Sequence, residues 1–144
     1  MRDIHFRGYN KEENRWVYGS YYKWITATPC VFSSVEQGKQ WYKEHIKHII
    51  ITTGMSDWWL YKVVEENSIG QFTGITDRLG KNIYEGDIVE ITNLPPHIKE
   101  NSLIGTVIFD ECAFWVDFKK DAILLFTEGI EYKIIDNIYK TDKR

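Results

Sequence analysis

Apolar and polar residues alternate from the first positions of the chain. Ile4 and Phe6 fall on one side, and Asp3, His5 and Arg7 on the other, as in a strand with one buried face. Residues 10–14 are polar and read as a turn. An aromatic-rich strand follows over 15–24, with Trp16, Tyr18, Tyr21 and Tyr22, interrupted by Gly19. Residues 25–32 read as a further strand, bent or ended near Pro29, which cannot donate to a ladder. The period then changes. Ser34-Val35-Glu36-Gln37 fits a capping box, and Val35, Trp41, Tyr42, Ile46 and Ile49 recur at helical spacing. These features predict a helix from Ser34 to about His48, which Gly38 weakens by about 1 kcal/mol relative to Ala. The β-branched run Ile49-Ile50-Ile51-Thr52-Thr53 then reads as strand.

Residues 54–57 read as a turn, 58–64 as a strand and 65–67 as a polar break. Beyond them the apolar segments shorten, and strands are expected at 69–73, 88–92, 104–110, 114–118, 123–126 and 131–139. Residues 93–101, with Pro95-Pro96, are the longest irregular stretch and should form a surface loop. Residues 141–144 form a charged tail expected to fray. Short strands at this spacing suggest a small antiparallel barrel or sandwich.

Composition agrees with that pattern. The chain has 144 residues, enough for one domain or for two small lobes. It carries 19 Ile, 8 Val and 10 Thr against 6 Leu and 3 Ala, a balance that favours pleated sheet over a helical bundle. No apolar run approaches the length of a membrane span, and the start has no apolar core of a secretory signal, so no membrane partner is expected. The net charge of −3 is uneven. Residues 1–66 carry nine basic and eight acidic side chains, whereas 67–139 carry six basic and twelve acidic. The acidic half is a poor surface for phosphates, which makes nucleic acid an unlikely main partner. Cys30 and Cys112 lack CxxC spacing and sit beside apolar residues, so buried free thiols are expected, with a disulfide left open.

The stretch 69–91 carries the most specific local pattern. Asp77-Arg78-Leu79-Gly80 places Asp and Gly at the first and last positions of a type I turn. Glu85-Gly86-Asp87 forms a second tight corner, from which Ile88-Val89-Glu90-Ile91 leaves as a strand. A Gly-Asp-x-Val corner, a loop, a Gly-x-Val strand and an aromatic strand are arranged as in SH3-like barrels. The expected fold is therefore mainly β with one helix: a small SH3-like antiparallel barrel over 67–139, plus an N-terminal β lobe over 1–66 that holds the helix.

Ser68-Ile69-Gly70-Gln71-Phe72-Thr73-Gly74, then Asp77-x-x-Gly80-Lys81-x-Ile83-Tyr84-Glu85-Gly86-Asp87-Ile88-Val89, resembles the signature of the YopX-like family. Ile4-His5-Phe6-Arg7-Gly8-Tyr9-Asn10 resembles that family's first strand, and 105–116 and 134–139 resemble its closing strands. The resemblance implies one YopX-like domain over 1–144, encoded by phages or prophages of Gram-positive bacteria and acting in the host cytoplasm. It brings no catalytic residues.

Little in the chain suggests chemistry. His45 and His48 face one side of the predicted helix but lack further ligands at metal-binding spacing. Cys112 has no activating His, Asn or Lys beside it. Asp57, Glu85 and Asp87 could supply paired carboxylates, but Asp87 fits better as the acceptor for backbone amides at its Gly86 corner. Gly70, Gly74, Gly80 and Gly86 lack the P-loop Lys-Ser/Thr and read as turn and bulge glycines, leaving Asp77, Gly80, Gly86 and Asp87 as structural turn residues. No cofactor or metal is expected.

The six tryptophans exceed what a core of this size requires. Alternation sets Trp115 opposite Phe114, Val116 and Phe118, where another chain segment covers it or a partner does. Trp58 and Trp59 pose the same question. The leading expectation is a non-enzymatic protein-binding or self-associating module with Trp58, Trp59 and Trp115 as candidate interface. The alternative is nucleic-acid binding by Lys39, Lys43 and Lys47, an i, i+4, i+8 stripe on the helix, with Trp41 and Tyr42 nearby.

Overall fold

Strand β1 (Phe6–Asn10) turns into β2 (Arg15–Ile25), which is long enough to pair with two partners in succession. The computed structural model describes residues 4–28, 31–52, 61–96 and 98–141. Asp3, Pro29, Cys30, residues 53–60, His97 and residues 142–144, and the expectations placed on them, lie outside the described residues. Contacts divide the chain into two units, His5–Ile69 and the chain from Gly70 onward. Both are built from antiparallel strands, so the protein is mainly β.

In the first unit, β2 pairs with β1 from Phe6↔Gly19 to Asn10↔Arg15, and then with β3 (Ile46–Ile51) from Ser20↔Ile51 to Ile25↔Ile46. Strand β4 (Tyr61–Val63) joins the free side of β3. Gly19 stands where β2 changes partner. A Cβ there would lie 2.1 Å from the Ile51 carbonyl oxygen, so no other residue fits. Val17, Ile50 and Val64 form the core, with Phe6, Tyr21 and Ile69 packed against it. A 3-10 turn (Glu66–Ser68) ties back to β1, where the Tyr9 amide donates to the Ser68 hydroxyl at 2.7 Å. Arg7, which alternation assigns to the polar side, is buried, with its guanidinium 4.7 Å from the centre of the Trp16 ring. The ring shields the cation on that face of the sheet.

Helix α1 spans Val35–His45. Ser34 caps it by accepting the Gln37 amide at 3.2 Å, while the Gln37 side chain accepts from the amide and hydroxyl of Ser33 rather than from Ser34. The helix ends three residues earlier than its pattern predicts, because Ile46 turns extended and starts a β-branched run. Gly38 is its only buried residue, set against the Phe32 ring. The expected strand over 25–32 is absent among the described residues, since β2 stops at Ile25.

In the second unit, β5 (Gly70–Thr76) and β6 (Asn82–Tyr84) form a hairpin. Strands β7 (Asp87–Thr92), β8 (Leu103–Asp110), β9 (Ala113–Asp117), β10 (Ala122–Leu124) and β11 (Glu131–Asn137) form a sheet in the order β10-β9-β8-β7-β11. Strands β10 and β11 are its two ends, and no pairing among the described residues closes it into a barrel. The core is Ile83, Val89, Ile91, Val107, Phe114, Val116, Leu125 and Tyr132. The Tyr132 hydroxyl donates to the Leu125 carbonyl at 2.6 Å, and burial pushes its pKa up to about 12.

Two further expectations change here. The strand expected over 131–139 ends at Asn137 and gives way to the single turn α2 (Ile138–Thr141). Cys112 is exposed and free rather than buried, because it forms the β8–β9 turn with Glu111. Both residues have positive φ, 46° and 62°, as in the type I′ turns that two-residue hairpins favour.

Candidate functional site

The polar corners of the second unit are held by two buried carboxylates. Asp77 accepts the amides of Leu79 and Lys81, each at 2.9 Å, and that of Ile134 at 3.3 Å. Burial opposes ionisation there, but the three amides and the Lys81 charge outweigh it and hold the carboxyl below its usual range. Gly80 closes this turn with φ +77°, its amide donating to the Asp77 carbonyl at 2.9 Å. Asp87 accepts the Tyr84 amide at 2.9 Å, and Gly86 turns between them with φ +82°. The Gly86 carbonyl receives the Asn137 side-chain amide at 2.8 Å and the Ile138 amide at 3.0 Å. These groups fasten β11 to the two corners. Burial also pushes the Glu85 carboxyl up, against a backbone bond with Gln71.

Of the candidate interface residues, Trp58 and Trp59 lie outside the described residues. Trp115 is half-buried on β9, across from Ile108 and Leu124, and its indole N–H donates to the Asp110 carbonyl at 3.0 Å. The larger aromatic surface lies in the first unit. Trp16, Tyr18, Tyr22 and Trp24 alternate along one face of β2, joined by Lys47 and Ile51 from β3 and by Tyr61 and Val63 from β4. Tyr18, Tyr22 and Tyr61 are about half exposed, and Trp24 packs edge-on to Tyr61 with centroids 5.6 Å apart. Among the described residues, the strand positions of this face carry no carboxylate. The alternation was present in the sequence at positions 16, 18, 22 and 24, but the one-residue offset of Tyr21 obscured it.

The basic stripe is not assembled. Lys39, Trp41 and Lys43 lie on α1, but the helix ends at His45, so Lys47 belongs to β3 beside Trp24. Trp41 is taken up within the unit: it stacks on His45 with centroids 4.5 Å apart and meets Phe32 and Tyr42. Lys39 lines an apolar groove with Phe32, Val35, Gly38 and Tyr42.

On the other face of the β2–β3 ladder, a cavity of about 420 Å³ is lined by Lys23, Tyr42, Lys43, Ile46, His48 and Glu66. Lys23 and His48 are direct cross-strand partners. Behind the cavity wall, the Tyr21 hydroxyl lies 2.8 Å from His48 Nδ1, with the two rings stacked, and His48 Nε2 lies 3.5 Å from a Glu66 oxygen. Burial, and secondly the Glu66 charge, push the Tyr21 hydroxyl up and keep it a donor. Sequence reasoning missed this cluster because it put His48 at the end of the helix and Tyr21 on no defined face. Among the described residues no group of His, Cys, Asp and Glu could hold a metal ion, and no helix is long and apolar enough to cross a membrane.

A family profile described as YopX protein matches residues 5–144. No curated protein sequence matches the chain. Among solved structures, the crystal structure of protein yopX from Bacillus subtilis is 20% identical, with a TM-score of 0.48, covering 97% of this chain and 95% of that one. A crystal structure of a protein from Enterococcus faecalis is 17% identical, with a TM-score of 0.46, covering 99% of this chain and 98% of that one.

Proposed function

The chain belongs to the YopX protein family, and on that footing we propose that it is a non-enzymatic binding module that docks a protein partner on the aromatic face of its first unit, the simplest partner being a second copy of itself. One observation carries this reading: Tyr18, Tyr22, Trp24 and Tyr61 present their rings to solvent on a single sheet face that, among the described residues, has no carboxylate at its strand positions. Tyrosine and tryptophan combine a large apolar area with a polar tip and lose little rotamer freedom on docking, which is why they dominate binding hot spots. By the family likeness, the protein is phage- or prophage-encoded and works in the bacterial cytoplasm.

Sedimentation equilibrium, with amide NMR shifts followed over a concentration series, tests self-docking. The expected result is a concentration-dependent dimer with shifts along the outer face of β2 and β4. Trp24→Ser should weaken it by roughly 2 kcal/mol, about thirtyfold, as for a central aromatic anchor. A strict monomer with concentration-invariant shifts on that face would overturn self-docking. A second reading, single-stranded nucleic acid, is favoured by Lys47 beside Trp24, since bases stack on such rings at about 1–3 kcal/mol each. Residues 5–69 carry eight basic and seven acidic side chains, which argues against it. Polarisation titration with a labelled oligothymidine decides: steep loss of binding with added salt supports this reading, and flat signal at low salt ends it.

A further inference from the structure

The cavity between α1 and the β2–β3 ladder has a charge pattern that the docking face does not explain. Lys23 and Lys43 both line it, and among the described residues neither has a carboxylate partner. Among the described residues, the one acid on its rim is Glu66, an oxygen of which lies 3.5 Å from His48 Nε2. His48 is held by Tyr21, whose hydroxyl lies 2.8 Å from its Nδ1 and whose ring stacks on it, so one wall of the cavity is ordered without a ligand. The remaining lining is a tyrosine ring and an isoleucine, Tyr42 and Ile46. A volume of about 420 Å³ falls within the range of small-molecule sites, which pair apolar walls with a few convergent polar groups.

We propose that this cavity binds a phosphate monoester carried on a planar ring, with Lys23 and Lys43 at the phosphate and Tyr42 and Ile46 against the ring. Two ammonium groups match the charge of a phosphate monoester, which is close to a dianion at neutral pH. A ring over Tyr42 gains stacking on a side chain that stays about half exposed without a ligand. Glu66 opposes the phosphate, so it sets the affinity from the rim, and its interaction with His48 keeps it to one side.

The test uses adenosine monophosphate as probe, with adenosine and inorganic phosphate as controls, read by calorimetry and by amide shifts. Adenosine monophosphate should bind saturably and shift the amides of Lys23, Lys43 and His48, with both controls weaker. Lys23→Gln and Lys43→Gln should each weaken it about tenfold, the loss expected for one charged partner. Both side chains are exposed, so the variants should fold, and far-UV circular dichroism checks this. Glu66→Gln should tighten binding, an outcome that a merely structural role for the cavity does not produce. Adenosine binding as tightly as its monophosphate, or lysine variants of unchanged affinity, would overturn the proposal. Inorganic phosphate binding equally well would overturn the role given to Tyr42 and Ile46. None of these readouts depends on the aromatic face of the opposite side, so this inference and the proposed docking stand or fall separately.

Discussion

Removing the Asp77 carboxylate should unfasten β11 from the β5–β6 turn. The side chain is buried and accepts three backbone amides, of Leu79, Lys81 and Ile134. Hydrogen bonds to a charged group contribute roughly 1.5–3 kcal/mol each. Leu79 and Lys81 are exposed, so water recovers much of their share, whereas Ile134 is half-buried and recovers less. Asp77→Ala should therefore cost about 3 kcal/mol, which at about 3 °C per kcal/mol lowers Tm by roughly 9 °C. Asp77→Asn keeps one acceptor but turns an NH2 group toward the Ile134 amide, so it should lose about half as much. The folded carboxyl titrates below the unfolded one, so its contribution is complete above the ordinary carboxylate value of about 3.9 and fades as pH falls through the depressed folded value. Urea denaturation of wild type and variant over a pH series should show a constant gap near neutrality that closes in acid. Amide exchange at Lys81 and Ile134 supplies a local readout. A gap below about 0.5 kcal/mol at neutral pH, with exchange at those amides unchanged, would refute the reasoning, since surface substitutions alone reach that size.

Two further substitutions probe backbone fit. A Cβ on Gly105 would lie 2.7 Å from the Asp117 carbonyl oxygen in the adjacent strand, so Gly105→Ala should destabilise by about 1–3 kcal/mol in urea denaturation, and an unchanged midpoint would place that strand pair further apart. Glu111 and Cys112 both hold positive φ, so the double variant Glu111→Asn, Cys112→Gly should stabilise by roughly 1–2 kcal/mol and raise Tm by about 3–6 °C in thermal melts, with no gain if the turn is not type I′.

What was legible in the sequence was what depends on local pattern. Alternation in 114–118 correctly placed Phe114 and Val116 in the core and Trp115 on the other face, because a buried sheet face forces a period of two. The Ser34 cap was legible for the same reason: the donor and acceptor lie three residues apart. The helix end was not, because Ile46 and Ile49 continue a helical spacing while their β-branching favours a strand, and pairing of β3 with β2 settles that competition. Arg7 misled because alternation within its own strand does not register the Trp16 ring that packs on it from across the hairpin. The cavity was invisible for a similar reason. Lys23 and His48 meet only through a cross-strand register separating them by 25 positions, and Glu66 arrives on a third element.

The place of β11 in its sheet also sets a timetable for synthesis. Strand β7 lies between β8 and β11, and the corner at Asp87 is completed by Asn137, 50 residues later. A ribosome adding about 5–20 residues per second needs roughly 3–10 s to cover that interval. Through it, β7 stands with one side unpaired, carrying Val89 and Ile91 that have no finished core to enter. A newly made chain therefore presents an open edge at this strand to a neighbouring nascent chain. Pairing across so wide a sequence separation is also slower to form than local contacts.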